Sequence, residues 1–192
     1  LVQEGWLYRV KSKGTFIARQ KLPQDFLQRL ETFSEQMERL GVVPTTKVIS
    51  FKVVPASSEV ANHLEIEEGS RVIYLSRHRF GDNEPVVTVD TYLPYEKCEF
   101  LMQHNFEKES LYDCMALQKD TTIFGARRTI EAVEANSDDA KSLGIKKGSP
   151  VQLIHTVGFS ASDVPLEYSI ARYRGDMSKF QITVYIHLEN NK

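Results

Sequence analysis

A chain of 192 residues, 41% hydrophobic and 26% charged, has room for one good-sized domain and an appendage. It can bury about 70% of its unfolded surface without a disulfide or structural metal. Lys+Arg 24 against Asp+Glu 26 leaves a net charge of −2, which excludes a wholesale polyanion binder. Cys98 and Cys114 form no C-x-x-C pattern, so neither a zinc knuckle nor a disulfide framework is expected. No apolar run approaches the ~20 residues of a membrane span, and the opening LVQEGWLYRVKSKG lacks the apolar core of a signal peptide. A cytoplasmic protein without a membrane partner is expected.

The first elements follow in chain order. Residues 6–10 and 15–18 read as two short strands around the turn residues Lys11-Ser12-Lys13-Gly14, a hairpin with a basic tip. A lone hairpin is marginal in water, so it belongs to something larger. Residues 19–25, polar and holding a proline, read as a linker. Phe26, Leu30, Phe33, Met37 and Leu40 recur at helical spacing over 25–40, and Gly41 supplies the stop. A β-branched strand follows over 46–54, ended by Pro55.

An internal repeat organises the rest. Residues 56–72 (ASSEVANHLEIEEGSRV) and 135–151 (ANSDDAKSLGIKKGSPV) match without a gap at eight of seventeen positions, where chance at ordinary usage gives about one. In each copy an N-cap candidate, Ser57 or Asn136, opens a short helix. Gly69 or Gly148 then permits a tight turn into a strand. Strands are expected over 72–80 and 85–93, joined by a Gly81–Glu84 turn, and over 151–159 and 165–173. Further strands fit 123–133 and 180–188, and short helices fit 96–105 and 108–116. The fold class is α+β, a mainly antiparallel sheet with helices on a face. Such pseudo-duplicated halves commonly bound a ligand cleft.

Catalytic signatures are missing: no G-x-S-x-G, H-E-x-x-H, G-x-x-x-x-G-K-[ST] or G-x-G-x-x-G occurs. The histidines at 63, 78, 104, 155 and 187 share no metal-ligand spacing, so no metal and no cofactor is expected. Three features suggest binding instead. Arg77 and Arg79, two apart on a strand, share a face and could fork around a phosphate or carboxylate, or pair with surface acids. Ser110-Leu111-Tyr112 opens a helix, either as an anion-binding start or simply as a cap. Glu167, Ser169, Ala171 and Tyr173 share one strand face that suits a hydroxyl-rich ligand or an outward surface.

These blocks resemble the GntR-type transcriptional regulators of the HutC subfamily. The similarity is carried by YRVKSKGTFIA, FSEQMERLGVVPTTKV, ANHLEIEEGSRVIYLSRHR, PVVTVDTYLP, ESLYDCM, ARRTIEAVEA and PLEYSIARYRGDMSKF. The resemblance implies three parts. Residues 1–18 would be the wing of a winged helix-turn-helix domain, with Lys11, Lys13 and Gly14 at operator DNA and the recognition helix upstream of Leu1. Residues 19–25 would be a linker, and 26–190 a UTRA effector-binding domain of chorismate-lyase-like fold. It also implies a homodimer and a non-enzymatic repressor tuned by a small anionic metabolite. By resemblance, Phe33, Ser34, Arg77, Arg79, Ser110 and Tyr112 would hold a phosphate, and Glu167 and Tyr173 would meet a sugar. Relatives that respond to amino-sugar phosphates often carry a Glu where this chain has Val89. The alternatives are a chorismate-lyase-like enzyme acting on an aromatic carboxylate and a stand-alone sugar-phosphate-binding module.

Overall fold

The computed structural model describes residues 32–180 and, before them, the backbone of three short strands: β1 (Leu7–Val10), β2 (Gly14–Ile17) and β3 (Leu22–Gln24). β1 and β2 pair antiparallel with Val10 opposite Gly14, the hairpin read from the sequence. Lys11 and Lys13 lie outside the described residues, as do residues 25–31 and, beyond Phe180, the strand expected over 180–188. The supposed linker differs from expectation. Its β3 runs parallel to β10 (Ser178–Phe180). The partner sits at the far end of the described chain, so no local pattern announces the pairing.

Helix α1 (Phe33–Arg39) begins later than the periodicity suggested. Thr32 fixes the start: its hydroxyl accepts from Glu35 N at 3.2 Å while Thr32 N donates to Glu35 Oε2 at 2.8 Å. This reciprocal capping box satisfies two backbone donors that the helix itself cannot. Phe33, Gln36 and Met37 form its buried face.

The core is a six-stranded antiparallel sheet in the order β4-β5-β6-β9-β8-β7. One half comprises β4 (Pro44–Pro55), α2 (Ser58–Leu64), β5 (Arg71–Gly81) and β6 (Glu84–Pro94). After α3 (Tyr95–Cys98) and α4 (Leu111–Met115), the other half repeats the plan: β7 (Gly125–Glu134), α5 (Ser137–Leu143), β8 (Pro150–Phe159) and β9 (Pro165–Arg174). The halves meet at β6 and β9, where Val89 faces Ala171 and Thr91 faces Ser169.

The repeat is reproduced bond for bond. Ala56 N donates to Ser70 O at 2.8 Å, and Ala135 N to Ser149 O at 2.8 Å. Gly69 N donates to Ala56 O at 2.9 Å, and Gly148 N to Ala135 O at 2.8 Å. Both glycines sit at positive φ, +82° and +80°, where a side chain would be strained. Ser57 caps α2 and Asn136 caps α5. Each helix lies across the other half: α2 packs on β9 and α5 on β6. Asp139 of α5 takes a bidentate contact from Arg172 of β9, at 2.6 and 3.0 Å.

The opposite sheet face carries α1 and the α3–α4 region. Ile73, Leu75 and Leu93 of the sheet pack with Leu101, Phe106, Leu111 and Met115. The helix expected over 96–105 is instead the single turn of α3 followed by a 3-10 segment, Glu99–Gln103. The chain turns where Cys98 leaves helical geometry, at φ −115° and ψ 11°.

Candidate ligand cavity

Between the sheet and the segment 106–112 lies a cavity of about 150 Å³, large enough for several waters or a small metabolite. Alternation along β5 sends Ile73 and Leu75 into the core and the next two residues of that face, Arg77 and Arg79, into the cavity. β6 contributes Val89, and β9 contributes Glu167, Ser169, Ala171 and Tyr173. α1 brings Phe33 and Ser34, and the start of α4 brings Ser110 and Tyr112. All nine residues singled out for effector binding therefore surround one space.

The two arginines dominate its electrostatics. Arg77 is only 3% exposed. Among the described residues its Nε and that of Arg79 are buried without a hydrogen-bond partner. Arg77 Nη2 reaches Thr91 Oγ1 at 3.4 Å, a long contact. The Arg79 guanidinium lies over the Phe33 ring at 5.1 Å, which orients it without satisfying its N–H groups. Burial first, then the adjacent Arg79 charge, holds the Arg77 guanidinium well below the ordinary arginine range. Burial lowers Arg79 as well. Two like charges with unsatisfied donors in a shielded cavity are costly alone and well placed for an anion.

Glu167, Tyr112 and Tyr173 stand close enough to both guanidiniums to interact with them, so a carboxylate and two phenols share the site with the arginines. Tyr112 donates to Glu167 Oε2 at 2.5 Å, tying α4 to β9. Burial and the Glu167 carboxylate push the Tyr112 hydroxyl well above its usual range. Burial takes Tyr173 up to about 12. Both phenols are therefore neutral donors at physiological pH. Ser110 accepts from Asp113 N at 3.4 Å, so its hydroxyl serves as the cap of α4 while lining the cavity. Among the described residues no base stands within hydrogen-bond distance of that hydroxyl, whose partner is Asp113 N.

Several lining residues were not anticipated. Arg128 of β7 adds a third guanidinium, and Thr46, Thr156, Glu107, Lys108 and Glu109 complete the rim. Alternation in the Arg127-Arg128 pair already implies that one of them faces inward, once β7 is known to pair with β8.

Residues 39–179 match the family model described as the UTRA domain. The chain belongs to the UTRA family. It is similar to the HTH-type transcriptional repressor NagR of Bacillus subtilis, 31% identical over 180 residues covering 94% of this chain and 73% of that protein. The HTH-type transcriptional regulator GmuR of the same organism is 32% identical over 190 residues, covering 95% and 77%. The fold matches the crystal structure of PhnF from Mycobacterium smegmatis with a TM-score of 0.83 at 22% identity, over 96% of this chain and 80% of that one. This UTRA chain thus belongs with the HTH-type transcriptional regulators, and the relatives named here are regulators rather than enzymes. No helix among the described residues is long and apolar enough to cross a membrane.

Proposed function

We propose that the cavity senses an anionic metabolite, a phosphorylated sugar or closely related compound, and that its binding changes the regulator's affinity for operator DNA. The observation that carries this reading is the pair of arginines, Arg77 and Arg79, that line a cavity rimmed with hydroxyls while each keeps a buried, unpartnered Nε. A phosphate would take up the guanidinium groups together with Ser34 and Ser110. The sugar would extend towards Glu167 and Tyr173, which offer a carboxylate acceptor and a neutral phenol. Phe33 would close the arginine end.

Val89 supplies the finer specificity. It lines the cavity beside Ala171 on the neighbouring strand, so this stretch of wall is apolar. Asp90 cannot stand in for a carboxylate at 89, because the next residue on a strand faces the other way; its carboxylate accepts from Tyr74 on that other face. An effector amine aimed at Val89 would lose its partner at about 1–3 kcal/mol. The preferred effector therefore presents a less polar group there than an amino-sugar phosphate does. A relative named for a fructoselysine utilization operon, from Escherichia coli, is 28% identical over 169 residues, which supports a sugar-derived compound as the class.

The regulatory step is linkage. In a homodimeric, cytoplasmic regulator, an effector that favours one arrangement of the dimer shifts DNA affinity by its differential affinity for the two arrangements. Calorimetric titration with a panel of sugar phosphates, each paired with its unphosphorylated sugar, tests the reading. Binding is expected for phosphorylated members and not for their neutral partners. Equal affinity within every pair would overturn it.

A further inference from the structure

We propose that His104, Glu109 and Cys114 form a binding site for a thiophilic divalent cation of the Zn²⁺ type, beside the ligand cavity. The three side chains bring one thiol sulfur, one imidazole nitrogen and one carboxylate oxygen together within 4.8 Å of one another. Sγ to Nδ1 is 3.4 Å, Nδ1 to Oε1 is 3.0 Å, and Sγ to Oε1 is 3.9 Å. Tetrahedral zinc with ordinary ligand bonds would set those edges at about 3.4–3.6 Å. Each observed edge is within a few tenths of an ångström of that range, so closure on an ion needs only small side-chain movements.

The Cys114 thiol and His104 Nδ1 both stand within reach of the same carboxylate oxygen, Glu109 Oε1, at 3.9 and 3.0 Å. His104 Nδ1 can make one hydrogen bond, and Glu109 Oε1 stands at that distance. The Cys114 sulfur nevertheless points at the same nitrogen. The three ligand atoms thus form a closed triangle, as ligands around an ion do, rather than links in an open chain. The carboxylate is also held from behind, since Asn105 N donates to Glu109 Oε2 at 2.6 Å. Such backing of a ligand group is a usual companion of metal sites. Cys114 is buried in the last turn of α4, while His104 is partly and Glu109 largely exposed, which leaves a fourth position open to water. Burial and the nearby Glu109 and Asp113 carboxylates raise the Cys114 thiol; a bound cation would reverse that electrostatic preference and release the proton.

This site revises the expectation of no metal, which rested on His–His spacing and passed over a mixed His, Glu and Cys set. Its position matters for the domain. The chain between the outer ligands includes Phe106, Lys108, Ser110 and Tyr112, all lining the cavity. An ion would fasten both ends of that wall, whatever the cavity binds.

The test uses the whole chain, stripped with a chelator and kept reduced with a phosphine that does not compete for metal. Titration with Co²⁺ should produce a thiolate-to-cobalt charge-transfer band together with the visible bands of tetrahedral cobalt, saturating at a single ion per chain. Zn²⁺ should displace the cobalt. Cys114→Ser should lose the charge-transfer band, and Glu109→Gln, at a largely exposed position that does not threaten folding, should weaken Co²⁺ binding about tenfold or more. A wild-type chain that develops no charge-transfer band overturns the proposal. So does a band that survives Cys114→Ser, or cobalt affinity unchanged by Glu109→Gln.

Discussion

Replacing Arg77 with Met separates the cost of the cavity from its use. In the unliganded domain Arg77 is a buried cation with an unpartnered Nε, next to a second cation. A buried polar atom without a partner costs about 1–3 kcal/mol. Met has a similar length, fills the space and carries no charge. The substitution also removes the contact from Nη2 to Thr91 at 3.4 Å, which offsets part of the gain. The net expectation is about 1 kcal/mol of added stability, or a rise in Tm of about 2–4 °C for a chain of this size. Effector affinity should move the other way. A charge-assisted hydrogen bond contributes about 1.5–3 kcal/mol, so Kd for the best sugar phosphate should rise roughly 10- to 150-fold. Thermal unfolding and calorimetry on the same samples read both quantities. A variant that unfolds at lower temperature than the wild type and binds phosphate compounds equally well would refute the reasoning, because Arg77 would then be a structural residue.

Three further outcomes are expected. Alkaline unfolding should set in above pH about 10, the ordinary tyrosine range: burial raises Tyr74 and Tyr173 to about 12, so the stability they contribute is complete below pH 10 and lost as the pH climbs towards 12. A chain whose stability is flat from pH 9.5 to 12 would contradict this, with the pH limits taken as approximate bounds on that window. Asp139→Ala removes the capping partner of Asn136 and leaves Arg172 without its bidentate acceptor; with Arg172 partly open to water, denaturant unfolding should show a loss on the order of 2–3 kcal/mol. Glu65 ends α2 at φ 55°, in the left-handed region that Gly144 occupies in the repeated copy; Glu65→Gly should therefore raise stability by about 0.5–1 kcal/mol, and a loss of stability would show that the Glu65 side chain has a role of its own.

Period-two alternation carried much of the cavity in advance. It put Arg77 with Arg79, Glu167 with Tyr173, and Val89 opposite Asp90 in facing, and each is where that period requires. The repeat anticipated the two halves, both N-caps and both positive-φ glycines, because each is a local requirement written at a fixed offset. Tertiary pairing was less legible. The strand at 22–24 exists only through its partner at 178–180. Arg128 faces the cavity because of the β7–β8 register, which spacing within ARRTIEAVEA leaves open. The Tyr112–Glu167 bond joins α4 to a distant strand. The start of α1 is legible in the sequence: Thr32 followed three residues later by Glu35 is a capping-box signature that outranks the apolar periodicity before it.

The most direct test of the account is a crystal structure of this chain with a phosphorylated sugar bound. The account predicts the phosphate seated against the guanidinium groups of Arg77 and Arg79, with Ser34 and Ser110 in reach and the sugar directed towards Glu167 and Tyr173. A phosphate bound elsewhere, with neither guanidinium in contact with it, would contradict it.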